Sequence, residues 1–428
     1  MRCALLLAAS LVACGTSPES STVYLSIGAD ALPTVRDLAA RDGAQLHVLE
    51  TDGEVAVVEL PEAELEALAQ QMHEQHHRCG GFIVHDSLDE ARGALHVQQP
   101  ARGPVYSLDR AAIVNAVLPK LEKNRIRDHI GELSDMPNRY YKSTSGAEAS
   151  TKLAALWRSF SKRPDVTVEL FDNGYPQKSV ILTIPGSTHP DEVVVIGGHL
   201  DSISFGGAGG KAPGADDDAS GIATLTEVAR VLLAADYRPA RTIKFMAYAA
   251  EEIGLRGSQG IVRDFQKRKV NVVGALQLDM TNYQGSDRDI WLMKDFTSAA
   301  QNNFLIQLID TYVGATYGLD ACGYACSDHA SWYRAGVPAS MPFESRMMQR
   351  NRQIHTREDT LETSGGNADH AVKFARLATS YAIELGKGEL GGAKLAATDD
   401  GGSGWGFGRL ALVAGAGLAG FALLRRRR

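Results

Sequence analysis

The spacing of apolar and polar positions divides the chain into two regions of different texture. Between residues 22 and 90 the period changes quickly. Residues 22–27 alternate as a strand, 32–41 have helical spacing, 46–60 alternate again across Asp52-Gly53, 61–72 return to helical spacing, and 81–85 form a short apolar run. An Asp-Gly pair between two alternating runs marks a hairpin, because glycine supplies the positive φ that the turn requires. The order strand, helix, two strands, helix, strand predicts a small ferredoxin-like α+β domain.

From about residue 105 to 390 the texture is coarser. Runs at 180–184, 193–196, 243–248 and 272–278 are apolar and rich in β-branched residues, as expected of strands buried on both faces. Helical stretches at 222–235, 255–266, 303–313 and 371–385 separate or follow them. This predicts an α/β domain with a mixed, mostly parallel sheet flanked by helices, whose ligand site lies at the carboxyl ends of the strands.

Composition narrows the function classes. The 428 residues are 44% hydrophobic and 22% charged, ordinary for a globular chain of more than one domain. With 44 Lys+Arg against 51 Asp+Glu the net charge is −7, which argues against nucleic acid as a partner. The only dense basic run is 425–428, at the end of the chain.

Both termini carry membrane signals. Arg2 followed by apolar residues 4–13 reads as an export signal, and Leu11-Val12-Ala13-Cys14 resembles a bacterial lipobox that would make Cys14 lipidated. A plain cleaved signal with an incidental cysteine is the alternative. Residues 410–424 are uncharged between Arg409 and four terminal arginines, which positive-inside reasoning puts in the cytoplasm. With Gly401-Gly402 before it, this tail resembles the Gly-Gly type of bacterial sorting tail trimmed by a rhomboid-like protease; a permanent anchor is the alternative.

The small domain resembles the inhibitory propeptides of secreted proteases. It is read as a removable pro-segment, with the polar, proline-bearing stretch 98–104 as the place of cleavage; a permanent substrate-binding domain is the other reading. The expected division is 1–14 export signal, 15–103 pro-domain, 104–390 catalytic domain and 391–428 linker and tail. The expected location is the bacterial cell envelope or the exterior, reached through export and sorting machinery. Membrane attachment would be through the lipid or the tail, and the chain is taken as a monomer.

Candidate chemistry gathers where strands run out. His199 and Asp201 follow the second strand, Asp216-Asp217-Asp218 opens a helix, Glu251-Glu252 follows the third strand, Asp279 ends the fourth, and His355 comes late. Taken singly, these are a helix cap, a solvated pair and a structural imidazole. Together they are too many buried carboxylates to lack a cationic partner, since unpaired burial costs several kcal/mol. Imidazole with carboxylate favours zinc or a similar divalent ion. His73, His76, His77 and Cys79 form a second cluster, read as a solvated helix end, with a separate metal site as the alternative. None of the five cysteines forms a Cys-x-x-Cys pair.

The order and spacing of His199, Asp216 to Asp218, Glu251-Glu252, Asp279 and His355 resemble the secreted bacterial leucyl aminopeptidases, which are two-zinc metallopeptidases. The resemblance spans about 105–385 and is closest over 212–223, 244–259 and 276–282. It implies two Zn2+ per chain, with His199 and Asp279 on one, Glu252 and His355 on the other, and Asp217 bridging. Glu251 is then the general base, and Asp201 orients His199 as a carboxylate behind the metal. Two zincs bring +4 against −3 from Asp217, Glu252 and Asp279, leaving +1 for a bridging hydroxide.

The resemblance also implies a disulfide between Cys322 and Cys326, which an export context favours. Tyr324 between them is expected to donate a hydrogen bond to the tetrahedral intermediate, or else to be a packing ring. Met280, Phe343 and Met347 are expected to line the side-chain pocket, and Arg350 to disfavour basic first residues. The expected activity is removal of large hydrophobic first residues, such as leucine, from peptides with a free N-terminus. The alternatives are other amide chemistry on the same fold, such as glutaminyl cyclisation or carboxypeptidase action, and a non-catalytic binding domain.

Overall fold

The computed structural model describes residues 21–96, 103–204 and 209–391. The export signal and lipobox, the C-terminal tail and most of the proposed cleavage stretch lie outside the described residues. Among the described residues, no helix is long and apolar enough to cross a membrane.

The chain begins with β1 (Thr22–Gly28), α1 (Leu32–Asp42), β2 (His47–Asp52), β3 (Val55–Pro61), α2 (Leu65–His76) and β4 (Phe82–His85). These strands make an antiparallel sheet in the order β2-β3-β1-β4, the ferredoxin-like arrangement that the sequence predicts. Leu25, Ile27, Ala56 and Val58 from the strands pack against Val35, Leu38, Leu68 and Met72 from the helices. The same apolar cluster takes in Tyr140, Tyr141, Ala250 and Ile253 from the larger body. A short helix, α3 (Leu88–Gly93), follows, capped by Ser87 Oγ, which accepts from Glu90 N.

The larger body opens with three helices that the sequence did not signal, α4 (Ala111–Val117), α5 (Lys123–Ser134) and α6 (Thr144–Ser159). In α5 only Ile126, Ile130 and Leu133 face the core, too few apolar positions among charged neighbours to register as a stripe. Then come β5 (Thr167–Phe171), β6 (Ser179–Ile184), β7 (His189–His199), α7 (Ala219–Ala234), β8 (Tyr237–Arg238), β9 (Arg241–Tyr248), α8 (Arg256–Lys267) and β10 (Asn271–Gln277). The remainder is β11 (Ile290–Met293), α9 (Ala299–Leu308), β12 (Tyr317–Asp320), α10 (His329–Arg334), β13 (Ala339–Ser340), β14 (Pro342–Phe343), α11 (Ala371–Gly386) and β15 (Glu389–Leu390).

The main sheet runs β13-β10-β7-β9-β6-β5. Its β13, β10, β7 and β9 are parallel, β6 runs antiparallel to β9 and β5 antiparallel to β6, so the sheet is mixed and flanked by helices. Alternation explains why its strands read as continuous apolar runs. Val194, Ile196, Ile243 and Phe245 meet α7 and α11 on one face, while Val193, Val195, Met246 and Tyr248 meet α8 and α10 on the other. Helix boundaries moved where a cap decides them: α7 starts at Ala219 because Asp218 accepts from Gly221 N, and α9 at Ala299 because Ser298 accepts from Gln301 N.

Candidate metal centre

Parallel strands β7, β9 and β10 end side by side, and the functional residues hang from those ends. His199 is the last residue of β7, Glu251-Glu252 lie just past β9, Asp279 just past β10, and Asp217 precedes α7. His355 comes from the long loop before α11. All are buried.

Asp217 sits at the middle. Its Oδ1 is 2.9 Å from His199 Nε2, and its Oδ2 is 3.3 Å from His355 Nε2. On the first side His199 Nε2 is 3.7 Å from Asp279 Oδ1; on the second, His355 Nε2 is 2.7 Å from Glu252 Oε2. Among the described residues neither His355 Nε2 nor either Glu252 carboxylate oxygen has a hydrogen-bond partner. Buried atoms left in that condition fit a cation, and the imidazole and carboxylate donors suit zinc.

Electrostatics carry the same message. Burial pushes the Glu251 carboxyl well above the usual carboxylate range, with Asp328, Glu252 and Asp279 adding to the rise against the pull of His199. Burial also lifts Glu252, to about 7, against His355, with Asp217 adding to the rise. Burial opposes the charged form of His199, yet Asp279 and Glu251, with hydrogen bonds to Asp201 and Asp217, raise it well above the ordinary imidazole value. So much buried negative charge requires compensation.

Three further carboxylates hold backbone in place of metal. Asp201 accepts from Glu251 N at 3.0 Å and Glu252 N at 3.2 Å, besides standing 3.5 Å from His199 Nδ1. It therefore orients the Glu251-Glu252 turn as well as the imidazole. Asp218 accepts from His199 N at 3.0 Å, Gly221 N at 2.8 Å and Met280 N at 3.1 Å, tying two strand ends to the start of α7. Asp359, which sequence reasoning missed, accepts from Asp217 N at 3.1 Å, Asp216 N at 3.2 Å and Asn351 Nδ2 at 3.0 Å.

Arg139 was also missed. Fully buried, it donates to the carbonyls of Leu200, Leu133, Pro213 and Gly214, and so fixes the loop that delivers Asp217. Ala250, Met280 and His355 have φ of 54, 57 and 60°, left-handed values at or beside residues of the candidate centre. Strain of this kind, on the order of 1–3 kcal/mol each, concentrates at functional sites.

The residues expected to line the side-chain pocket lie together in the interior. Met280, Tyr324, Phe343 and Met347 share one buried apolar cluster with Trp291 and Ile354, and Cys322 and Cys326 are disulfide-bonded. Arg350 departs from expectation. It is only 8% exposed, and its guanidinium donates to Met347 O at 2.8 Å and to His77 O in the small domain.

The helix-end cluster requires correction. His77 is the left-handed, exposed cap of α2, but the His73 ring lies 4.8 Å from the His355 ring and Cys79 Sγ lies 3.8 Å from Asp217 Oδ2. Neither a solvated helix end nor a separate metal site describes it: the segment enters the centre just described. No signal near Cys79 could have shown this, because the contact joins residues 138 apart in sequence.

Residues 179–380 match the description "Peptidase family M28". Leucine aminopeptidase 1 of Coccidioides posadasii (strain C735) is 38% identical over 290 residues, 64% of this chain and 74% of that one. Leucine aminopeptidase 1 of Pyrenophora tritici-repentis is 36% identical over 318 residues, 71% and 79% of the respective chains. Among solved structures, the LapA aminopeptidase of Legionella pneumophila superposes with a TM-score of 0.74 at 28% identity, covering 86% of this chain and 99% of that one. Long alignments to named aminopeptidases thus coincide with a centre suited to metal, and the chain, a metallo-aminopeptidase, belongs to peptidase family M28.

Proposed function

We propose that this aminopeptidase uses two zinc ions and prefers peptides whose first residue is large and apolar, such as leucine. One observation carries the count of two: the oxygens of Asp217 face two separate histidine–carboxylate pairs. His199 and Asp279 would hold one ion, His355 and Glu252 the other, with Asp217 shared. Bound there, zinc polarises a carbonyl and acidifies a water.

Glu251 is the general base. It bears no ligand duty, its backbone is held by Asp201, and its environment keeps its proton affinity high. It takes the proton of the attacking water and passes it to the leaving amine. On this reading the Tyr324 hydroxyl donates to the oxyanion. Met280, Phe343 and Met347 give the first side chain an apolar, adaptable surface, which supports the leucine preference.

Residues 15–103 are a pro-segment on this reading, because α2 and the loop after it cover the centre. Export, with attachment through Cys14 or the C-terminal tail, completes the proposal. The test is leucyl-anilide hydrolysis by the full chain, carrying a specific protease site at residues 97–102, before and after cutting, chelation and zinc repletion. Activity that follows two bound zincs per cut chain is expected. A folded, cut, two-zinc chain without activity on leucyl substrates overturns the proposal in favour of other amide chemistry.

A further inference from the structure

The loop that leaves α2 is shaped to reach inward. His77, Gly80 and Gly81 have φ of 53, 54 and 76°, which reverses the chain within five residues. A Cβ at Gly81 would stand 2.7 Å from Met72 Cε and 3.0 Å from Arg78 Cβ, so the return is closed to other residues. Four contacts seat the loop on the larger body. Cys79 N–H donates to Tyr324 OH at 2.9 Å, and Arg350 donates to His77 O. The Arg78 guanidinium lies 5.3 Å from the Tyr324 ring centroid, and the His73 ring packs on that of His355.

The result is a sulfur among metal-ligand candidates. Potential ligand atoms of Cys79, Asp217 and His355 all lie within 4.8 Å of one another. A cysteine near a site is not by itself a ligand, but here the atoms it joins include His355 Nε2, from a residue only 4% exposed and with no hydrogen-bond partner among the described residues.

We infer that Cys79 is a thiol ligand of the metal centre in the uncut chain, so that residues 78–81 hold the site closed until the segment bearing them is removed. The inference rests on the two-zinc reading above. Sulfur binds as thiolate: the thiol proton passes to solvent as the sulfur–metal bond forms and is regained when that bond breaks, with no redox change. The same loop also stands against the hydroxyl expected to meet the reaction intermediate: the Tyr324 oxygen accepts from the Cys79 amide, which places the loop backbone where substrate would approach.

The experiment uses the full chain with Cys3 and Cys14 replaced by serine, which leaves Cys79 the single free thiol beside the Cys322–Cys326 disulfide. Loaded with cobalt(II), the uncut chain should show a near-ultraviolet sulfur-to-cobalt charge-transfer band that is absent from Cys79→Ala and lost on cutting at 97–102. Zinc should protect Cys79 from alkylation by iodoacetamide, read by mass spectrometry, and chelation should restore reactivity. Uncut Cys79→Ala should hydrolyse leucyl anilide about tenfold faster than the uncut parent, the effect of one interaction worth ~1.4 kcal/mol.

Absence of the band, or equal alkylation with and without zinc, overturns the inference. If Cys79→Ala does not fold, alkylation of the unmutated thiol still decides. A cut, zinc-loaded chain that is inactive on leucyl anilide sinks the two-zinc, leucine-preferring reading instead, whatever the uncut chain's cobalt spectrum shows.

Discussion

Replacing Asp359 by asparagine keeps the side chain's shape and removes its charge. The carboxylate accepts from Asp216 N on both oxygens, from Asp217 N at 3.1 Å on one, and from Asn351 Nδ2 at 3.0 Å on the other. An amide offers one acceptor oxygen, so in either orientation its NH2 faces a donor. Asn351 cannot flip in compensation, because its oxygen already accepts from Gln353 N at 2.9 Å and its nitrogen donates to Asp216 at 3.2 Å. Losing one hydrogen bond to a charged group costs about 1.5–3 kcal/mol. On the two-zinc reading Asp217 is shared between the metal positions, so that loss is felt there. A 10–100-fold fall in metal affinity, the usual effect of losing a group that orients a ligand, corresponds to ~1.4–2.7 kcal/mol. The two figures agree in size. Competition against a chromophoric zinc chelator measures the affinity, with circular dichroism as the check on folding. A folded Asp359→Asn chain that binds zinc as tightly as the parent would refute the idea that Asp359 positions Asp217.

Other outcomes follow from the same contacts. Glu251→Gln should lower kcat of the cut enzyme by about 10²–10⁴ while two zincs remain bound; loss of metal instead would make Glu251 a ligand. Arg139→Met leaves four buried carbonyls without their donor. Urea unfolding should then show a loss of about 3–5 kcal/mol, and a loss under ~1 kcal/mol would contradict that role. His85, buried beside Ser26 Oγ at 2.9 Å, has its pKa lowered to about 3, chiefly by burial. The unfolded chain therefore binds this proton first. Stability present above the ordinary imidazole pKa is lost as pH falls from about 6.5 toward 3, by up to ~1.4 kcal/mol per pH unit. Urea titrations at several pH values should show a shallower acid slope for His85→Phe, and identical slopes would exclude this origin.

The residues of the candidate centre are legible in the sequence because strands buried on both faces produce unbroken apolar runs, and charged residues just past them stand out. His199, Glu252 and Asp279 are read in that way, and the small domain from its rapid changes of period. Arg139, Asn351 and Asp359 are not legible. Each holds backbone groups brought near by tertiary folding, and a loop residue bonding a distant N–H or carbonyl leaves no periodic trace. Helix α5 is obscured for a related reason: a narrow apolar stripe among charged neighbours resembles a solvated segment. Cys79 is the extreme case, since its environment belongs wholly to the other domain.

The apolar cluster of the small domain is completed by Tyr140, Tyr141, Ala250 and Ile253 from the larger body. Neither part therefore owns all the atoms of its own interior. The small domain cannot close its core until those four residues arrive, and the Glu251-Glu252 turn, flanked by two of them, is packed from outside by a segment earlier in the chain. The intact chain should accordingly melt in one cooperative transition, with calorimetric and van't Hoff enthalpies in agreement. On the pro-segment reading, removing residues 15–103 uncovers oily surface directly beside the Glu251-Glu252 turn, which couples that removal to the local rigidity of the turn.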